Sequence, residues 1–237
     1  MIALLCLPGC GSTSVEDDGE GLRVLFIGNS LTYANDLPGL LKNMLKQANV
    51  EVGRIESVAF PNFGLQDHWV QVQSRAAIAE GGWDVVVLQQ GPSATEGRPS
   101  LLEYSRRFAG EIKGAGARPA LYMVWPASTR SFDFDGVSDS YQTAAEGVDG
   151  LLFPAGEAWR IAWRQEPTLA LYSTDGFHPS LLGSYLAALV MFEQLTTHDV
   201  RALPAVIPTT DGDVTITPAL ARLLQESAME ANEEFSR

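Results

Sequence analysis

The residues best suited to chemistry lie in two short segments near opposite ends of the chain. The segment GNSLT (residues 28–32) places a serine just after an apolar run, and DGFHP (residues 175–179) places a carboxylate three residues before an imidazole. A serine hydroxyl becomes a good nucleophile when a base takes its proton and a carboxylate orients that base. These segments predict nucleophilic hydrolysis, with Ser30 as the nucleophile, His178 as the base and Asp175 as its partner.

Each of these residues also has a purely structural interpretation. Ser30 could cap the helix that follows it, although a helix N-terminus would also favour negative charge developing beside the serine. Asp175 and His178 could be a turn former and a surface histidine. The helix-forming run at 181–196 instead favours a loop that holds the imidazole rigidly. His68 is the alternative base, and His198 is predicted to be structural.

Composition limits the partners and cofactors. The 237 residues carry a formal net charge of −13, which disfavours nucleic acids and anionic lipid surfaces as partners. The two cysteines, Cys6 and Cys10, both precede residue 11, so the body of the chain holds no disulfide framework and no cysteine metal site. The three histidines lack metal-ligand spacing. We therefore expect neither a metal nor a cofactor, and a small-molecule or glycan ester as the partner.

The first residues resemble the end of a bacterial lipoprotein signal. An apolar run at 1–7 leads to Gly9 and Cys10, and cleavage before Cys10 would leave it as the lipidated first residue. The run is short and no basic residue precedes it, which a misassigned start codon would explain; the alternative is an ordinary disordered N-terminus. We expect a signal peptide, truncated by that start codon, at 1–9, and an acidic, glycine-rich tether at 10–20. These features predict a cell-envelope protein, lipid-anchored or secreted.

Strand-like and helix-like stretches alternate along residues 21–237, which we interpret as one domain. Strands are predicted at 22–27, 55–60, 83–88, 119–125 and 150–154. Helices are predicted at 36–49, 67–79, 101–115, 138–146, 181–196 and 218–235. Parallel neighbours need crossover connections, so this alternation predicts an α/β protein with a parallel sheet and helices on both faces.

Four successive strand ends carry candidate site residues. They are Ser30 after the first strand, NFG (62–64) after the second, QQGPS (89–93) after the third, and WP (125–126) after the fourth. Ligands bind at the carboxyl ends of strands in an open α/β sheet. Together with His178, these segments predict a site at one edge of the sheet.

On these segments the chain resembles the SGNH, or GDSL-like, hydrolase superfamily. Its first block, usually GDSLT, is matched by GNSLT, its last, DxxHP, by DGFHP, and the glycine of its second block by Gly64. The resemblance implies a flavodoxin-like three-layer α/β/α sandwich with about five parallel strands. It also implies a Ser30–His178–Asp175 triad and an oxyanion hole that includes the backbone N–H groups of Ser30 and Gly64.

The third block departs from the family pattern. The family usually has GxND, whose asparagine completes the oxyanion hole, whereas this chain has QQGPSA at 89–94. A glutamine amide carries the same donor on a longer arm, so Gln89 or Gln90 is predicted to reach the oxyanion. Neighbouring strand residues point to opposite faces, so only one of the two can do so.

Glutamine-containing blocks occur in divergent branches of the superfamily that include sialate and carbohydrate acetylesterases. The resemblance therefore favours an esterase that removes a small acyl group, such as acetyl, from a carbohydrate through an acyl-enzyme intermediate. One alternative is a lysophospholipase or thioesterase. The other is a non-catalytic, lipid-anchored glycan-binding module, in which aromatic side chains would stack on sugars: Phe63, Trp69, Trp125 and Tyr172.

Overall fold

A five-stranded parallel sheet forms the centre of the structure, a computed structural model that describes residues 21–196 and 198–236. Its strands are β1 (Leu22–Gly28), β2 (Val52–Ala59), β3 (Val85–Leu88), β4 (Arg118–Tyr122) and β5 (Leu151–Phe153). They pair in the order β2-β1-β3-β4-β5, the flavodoxin-like order. The predicted α/β class and the predicted five parallel strands are confirmed.

Helices cover both faces of the sheet. They are α1 (Ser30–Tyr33), α2 (Leu37–Gln47), α3 (Leu65–Val70), α4 (Val72–Ala79), α5 (Arg98–Gly114), α6 (Phe134–Gly147), α7 (Ala155–Gln165), α8 (Leu181–Leu195) and α9 (Pro218–Phe235). Helices α2, α7, α8 and α9 pack together on one face, and α3 to α6 pack on the other. A separate antiparallel hairpin consists of β6 (Val206–Thr209) and β7 (Gly212–Thr215). The result is the predicted three-layer sandwich.

Burial explains the sequence patterns of the strands. Residues 24–27 of β1 are at most 1% exposed, because β1 lies between two other strands and under helices on both faces. A strand buried on both faces reads as an unbroken apolar run. Strand β2 lies at the edge of the sheet, and its polar residues Arg54 and Glu56 remain partly or largely exposed. The end of β1 therefore lies in the buried interior of the sheet.

The structure corrects several predicted elements. The helix predicted at 67–79 is divided into α3 and α4, because Gln71 is extended with φ −77° and ψ 130°. The strand predicted at 119–125 ends at Tyr122. Helix α7 and the β6–β7 hairpin were not predicted. Every residue of β7 is exposed, so the hairpin gives no alternating apolar pattern. Helix α7, in contrast, buries Trp159 and Ile161 on one face and exposes Arg164, a helical pattern that the sequence does carry.

The predicted signal peptide at 1–9, the tether at 10–20 and the lipidated Cys10 lie outside the described residues. Within the part of the chain that the structure does describe, no helix combines the length and the apolar character that crossing a membrane takes.

Candidate active site

Ser30 is the first residue of α1 and lies just beyond the carboxyl end of β1. The cap of this helix is Asn29 and not Ser30: Asn29 Oδ1 accepts a hydrogen bond from the Leu31 N–H (3.0 Å), and its Nδ2 donates to the Phe63 carbonyl (2.9 Å). The Ser30 hydroxyl is thus not used as a cap. The Ser30 backbone N–H, at the start of the helix, has no acceptor among the described residues.

A buried glutamine fixes the turn at residues 28–32, which carries Ser30 and is called the nucleophile turn below. Gln89 Oε1 accepts hydrogen bonds from the Asn29 N–H and the Thr32 hydroxyl, each at 2.8 Å, and Gln89 is 0% exposed. A Cβ on Gly28 would lie 2.5 Å from that oxygen and 2.3 Å from Thr32 Oγ1. Only glycine at position 28 lets the end of β3 close this tightly over the turn.

The structure brings Ser30, His178 and Asp175 together. His178 Nε2 lies 2.9 Å from Ser30 Oγ, and His178 Nδ1 lies 2.5 Å from Asp175 Oδ2. A carboxylate only accepts, so Nδ1 carries the proton and the Nε2 lone pair faces the Ser30 hydroxyl. This is the arrangement that allows an imidazole to take a proton from a serine.

Asp175 also organises the loop on which it lies. Its Oδ1 accepts hydrogen bonds from the Ser173 hydroxyl (2.8 Å) and from the backbone N–H groups of Phe177 and His178 (both 2.9 Å). The hydrogen bond from the His178 side chain, followed by those from Phe177 and Ser173, holds the pKa of Asp175 well below its usual range. The carboxylate is therefore ionised wherever His178 could act as a base.

Two aromatic residues, the buried Trp125 and the half-buried Tyr172, anchor this loop. Trp125, 0% exposed and stacked on Trp159, donates from its indole N–H to the Phe177 carbonyl at 2.9 Å. The hydroxyl of Tyr172 donates to the Pro126 carbonyl at 2.6 Å. Trp125 was predicted to lie at a strand end and, only in the alternative of a glycan-binding module, to stack on a sugar, which its burial rules out. Its position was the available signal, and its hydrogen bond was not visible in the sequence.

Ser30 faces an open cleft of about 390 Å³. The loops after β1, β2 and β3 form its walls, including Asn62, Gly64 and Gln90, and Phe177 lies beside them. Three of the four predicted strand ends thus meet at one cleft. The fourth, at 125–126, supports the loop of His178 and does not line this cleft.

The amides of Gln89 and Gln90, one of which is predicted to serve the oxyanion, both donate hydrogen bonds within the protein. Gln90 lines the cleft, but its Nε2 already donates to Ser93 Oγ (2.7 Å) and to the Gly97 carbonyl (3.0 Å). Its Oε1 accepts from the Leu65 N–H at 3.2 Å, which fixes the orientation of the amide. Gln89 Nε2 donates to the Gln90 carbonyl at 2.6 Å, inside the protein. Gln90 thus forms part of the wall of the cleft, and Gln89 holds the turn that carries Ser30.

Gly64 lies at the cleft as predicted, but its N–H is engaged. It donates to Asp67 Oδ2 at 2.8 Å, and Asp67 is an exposed residue that lines the same cleft. No sequence motif assigned a role to Asp67. The Ser30 and Gly64 N–H groups, both predicted oxyanion donors, therefore differ: the first has no acceptor among the described residues and the second has a carboxylate.

His68, the alternative base, makes no contact with Ser30. It is 0% exposed, with Nε2 2.8 Å from the Gly28 carbonyl and Nδ1 2.7 Å from Ser74 Oγ. A carbonyl only accepts, so Nε2 carries the proton. Burial lowers the pKa of His68 and favours the neutral ring. His68 supports the backbone before the nucleophile turn, and His198 does not line the cleft. Across residues 21–196 and 198–236, no group of three His, Cys, Asp or Glu residues could hold a metal ion.

Comparison with solved structures identifies the class of protein. A protein of Slackia heliotrinireducens assigned to the SGNH hydrolases is 26% identical, with a TM-score of 0.61, over 74% of this chain and 100% of that chain. A DUF4886 family protein from Bacteroides uniformis is 19% identical, with a TM-score of 0.75, over 90% and 95% of the two chains. A variant of an acetyl xylan esterase from Geobacillus stearothermophilus is 16% identical, with a TM-score of 0.58, over 75% and 95%.

No protein-family model and no curated protein matches the chain. The protein of Slackia heliotrinireducens shares the fold at more than 25% sequence identity. The resemblance to the SGNH hydrolase superfamily is thus confirmed, and the class of protein is that of a hydrolase.

Proposed function

We propose that this protein is a serine esterase that removes small acyl groups, acetyl above all, from carbohydrates. The observation that carries the proposal is the hydrogen-bonded series from Ser30 Oγ through His178 to Asp175, at 2.9 and 2.5 Å, at the mouth of an open cleft. A hydrolase fold supports the reaction class.

In the proposed reaction, His178 Nε2 takes the proton of the Ser30 hydroxyl as Oγ bonds to the ester carbonyl carbon. The tetrahedral intermediate collapses, the alcohol leaves with the proton from His178, and the acyl group remains on Ser30. A water molecule then attacks the acyl-enzyme with His178 again as the base, which releases the acid and restores the serine. Asp175 keeps the proton on Nδ1 and stabilises the imidazolium that forms at each step.

The negative charge on the carbonyl oxygen requires donors close to Ser30. The Ser30 N–H is free to donate, and the Gly64 N–H lies at the same cleft. Loss of one such donor costs about 3 kcal/mol of transition-state stabilisation. Because the amides of Gln89 and Gln90 are engaged elsewhere, we assign the oxyanion to these two backbone groups.

The walls of the cleft favour a sugar as the alcohol part of the ester. Phe63 and Phe177 contribute apolar surface, and the exposed residues Asn62, Gln66 and Asp67 add polar groups beside it. A sugar presents apolar C–H faces and hydroxyl edges, which match such a mixed surface. A protein that shares the fold is an acetyl xylan esterase, which is consistent with this assignment.

The first test is hydrolysis of 4-nitrophenyl acetate by the purified protein. Ser30→Ala is expected to lower kcat/KM by roughly a thousandfold or more, because it removes the nucleophile. Ser57→Ala, at an exposed position of the edge strand β2, is the matched control and should be unaffected. Activity that survives in Ser30→Ala would overturn the mechanism. An inert wild-type protein that binds glycans would instead support the binding module.

A series of acyl chain lengths tests the acyl part of the proposal. We expect kcat/KM to fall steeply from acetyl to butyryl and octanoyl esters. A rise along the series would contradict the deacetylase and support the lysophospholipase or thioesterase.

We also propose that the esterase acts at the cell envelope through a lipid on Cys10. Radiolabelled palmitate supplied to expressing cells should label the wild-type protein and leave Cys10→Ala unlabelled. Equal labelling of both would contradict this anchor.

A further inference from the structure

The Asp67 carboxylate occupies a hydrogen-bond donor that the proposed reaction would use. The Gly64 N–H donates to Asp67 Oδ2 at 2.8 Å, and both residues line the cleft of Ser30. The hydrogen bond from Asn29 Nδ2 to the Phe63 carbonyl (2.9 Å) joins the residue before Ser30 to the residue before Gly64. The Ser30 and Gly64 N–H groups are therefore held on neighbouring turns at the same cleft.

The carboxylate of Asp67 opposes the reaction while it stays there. An oxyanion forming beside these N–H groups would be repelled by a like charge at hydrogen-bond distance from one of them. It would also find the Gly64 N–H already paired. The neighbouring donors offer no substitute, because the Leu65 N–H donates to Gln90 Oε1 and the Gln90 amide is itself engaged.

Asp67 is nevertheless easy to displace. Its residue is exposed, and the Gly64 N–H is the only hydrogen-bond partner of its carboxylate among the described residues. A carboxylate only accepts hydrogen bonds, so the group that draws it away must be a donor. A sugar hydroxyl is such a donor, whereas a simple aryl or alkyl acetate has none.

We propose that Asp67 determines the specificity of the site by masking the oxyanion donor until a substrate hydroxyl draws the carboxylate away from Gly64. The substrate class is an ester of a polyhydroxy alcohol that keeps a free hydroxyl close to the acylated oxygen. Binding energy from a group remote from the reacting carbonyl is then used to complete the oxyanion hole, which raises kcat as well as lowering KM. This inference rests on the proposed esterase function and names its substrate more closely.

The simpler interpretation is that Asp67 only caps α3, since a carboxylate three residues after a helix cap commonly accepts from the cap N–H. The two interpretations predict opposite changes in activity when Asp67 is removed. Loss of a cap destabilises the protein and lowers its activity on every ester. Loss of a mask raises activity on esters that cannot displace it.

The experiment compares Asp67→Ala and Asp67→Asn with the wild type on two substrates, 4-nitrophenyl acetate and a mono-acetylated methyl glycoside. Asp67→Ala should raise kcat on the aryl acetate about tenfold and lower kcat/KM on the glycoside about tenfold, less than the roughly hundredfold that a whole oxyanion donor supplies. Asp67→Asn should give a smaller change, because its amide oxygen still accepts from Gly64 without the charge. Asp211→Asn, in the exposed turn of the β6–β7 hairpin, removes the same charge as a control.

The outcomes separate the possibilities. Equal losses on both substrates with a lower Tm would overturn the inference and leave Asp67 as a cap. Unchanged kinetics on both would also overturn it, and the proposed function would stand. Absence of Ser30-dependent hydrolysis of either ester by the wild type would overturn the proposed function and this inference with it.

Discussion

The two sides of the cleft use their polar groups in opposite ways. In the loop at 173–179, the hydrogen bonds of Asp175 and Trp125 all hold His178 in the orientation that faces Ser30. On the other side, the Ser30 N–H has no acceptor among the described residues, but the donors at Gln90 and Gly64 are paired within the protein. The acid–base side is therefore assembled before a substrate arrives, whereas the oxyanion side is not.

This difference has an energetic reason. A histidine whose tautomer and orientation are fixed in advance loses little entropy during the reaction. A buried or half-buried donor without an acceptor is costly in the empty protein, about 1–3 kcal/mol for each group. Pairing Gly64 with the movable carboxylate of Asp67 avoids that cost in the empty cleft and leaves the N–H recoverable. Substitutions on either side of the cleft test this difference.

The largest effect is expected from the acid–base side. Asp175→Asn keeps an oxygen that can accept from the N–H groups of Phe177 and His178 but removes the charge next to His178 Nδ1. We expect kcat on 4-nitrophenyl acetate to fall about ten-thousandfold, because the imidazole would adopt the wrong tautomer. Asp211→Asn is the control and should leave kcat unchanged. If kcat of Asp175→Asn falls by less than about tenfold, His178 is oriented by other groups.

A smaller effect is expected from the support beneath the loop. Trp125→Phe keeps an aromatic ring against Trp159 but loses the indole donor to the Phe177 carbonyl. We expect kcat to fall about tenfold and stability to fall by about 2 kcal/mol, because a buried carbonyl loses its partner. Trp83→Phe is the matched control, because the indole of Trp83 donates a similar hydrogen bond, to the Ala77 carbonyl at 2.8 Å, away from the cleft. It should lose stability but not kcat, and equal losses of kcat would contradict the role of Trp125.

Substitution of Gln90, in the wall of the cleft, should affect catalysis least. Gln90→Met fills a similar volume and removes the amide, so we expect kcat to change by less than about threefold while Tm decreases. A hundredfold loss of kcat at unchanged KM would instead restore Gln90 as an oxyanion donor, since a donor of that kind is worth about that much. Kinetics and thermal unfolding of the same preparation distinguish the two.

The pH dependence of stability tests the role of His68, whose buried ring favours the neutral form and donates to the Gly28 carbonyl just before Ser30. Burial lowers the pKa of His68 in the folded protein, so below pH 6.5 the unfolded chain binds the proton first and the folded state loses stability. The loss should begin near pH 6.5, continue downward to the folded pKa and reach at most about 1.4 kcal/mol per pH unit. His68→Gln should reduce this slope in urea titrations. An unchanged slope would show that other groups cause it.

The sequence was sufficient for features that depend on local pattern. The apolar run of β1 predicted where Ser30 lies relative to the sheet. The spacing of Asp175 and His178 predicted the other two members of the triad. Each of these signals lies within a few residues of the chain. Helix α7 also carries a local pattern of this kind, with Trp159 and Ile161 buried on one face, whereas the β6–β7 hairpin carries none because β7 buries nothing.

Features that depend on which hydrogen bond a side chain chooses could not be predicted in this way. Gln89 and Gln90 both carry suitable donors, and only the positions of Ser93, Gly97 and the backbone show that these donors are used. The same holds for Asp67, which the sequence presents as one of many surface carboxylates. Chemical type and spacing identify candidates, but competition between partners decides their roles.

The tight closure of Gln89 over the nucleophile turn has a consequence for how this protein can change in evolution. Positions 28, 32 and 89 share one small volume, since a Cβ at position 28 would fall within 2.5 Å of atoms from both of the others. A relative with alanine at 28 would need a shorter residue at 89 and another acceptor for the Asn29 N–H. These three positions are expected to covary among homologues, and Gly28→Ala should be rescued only together with a shortened residue 89.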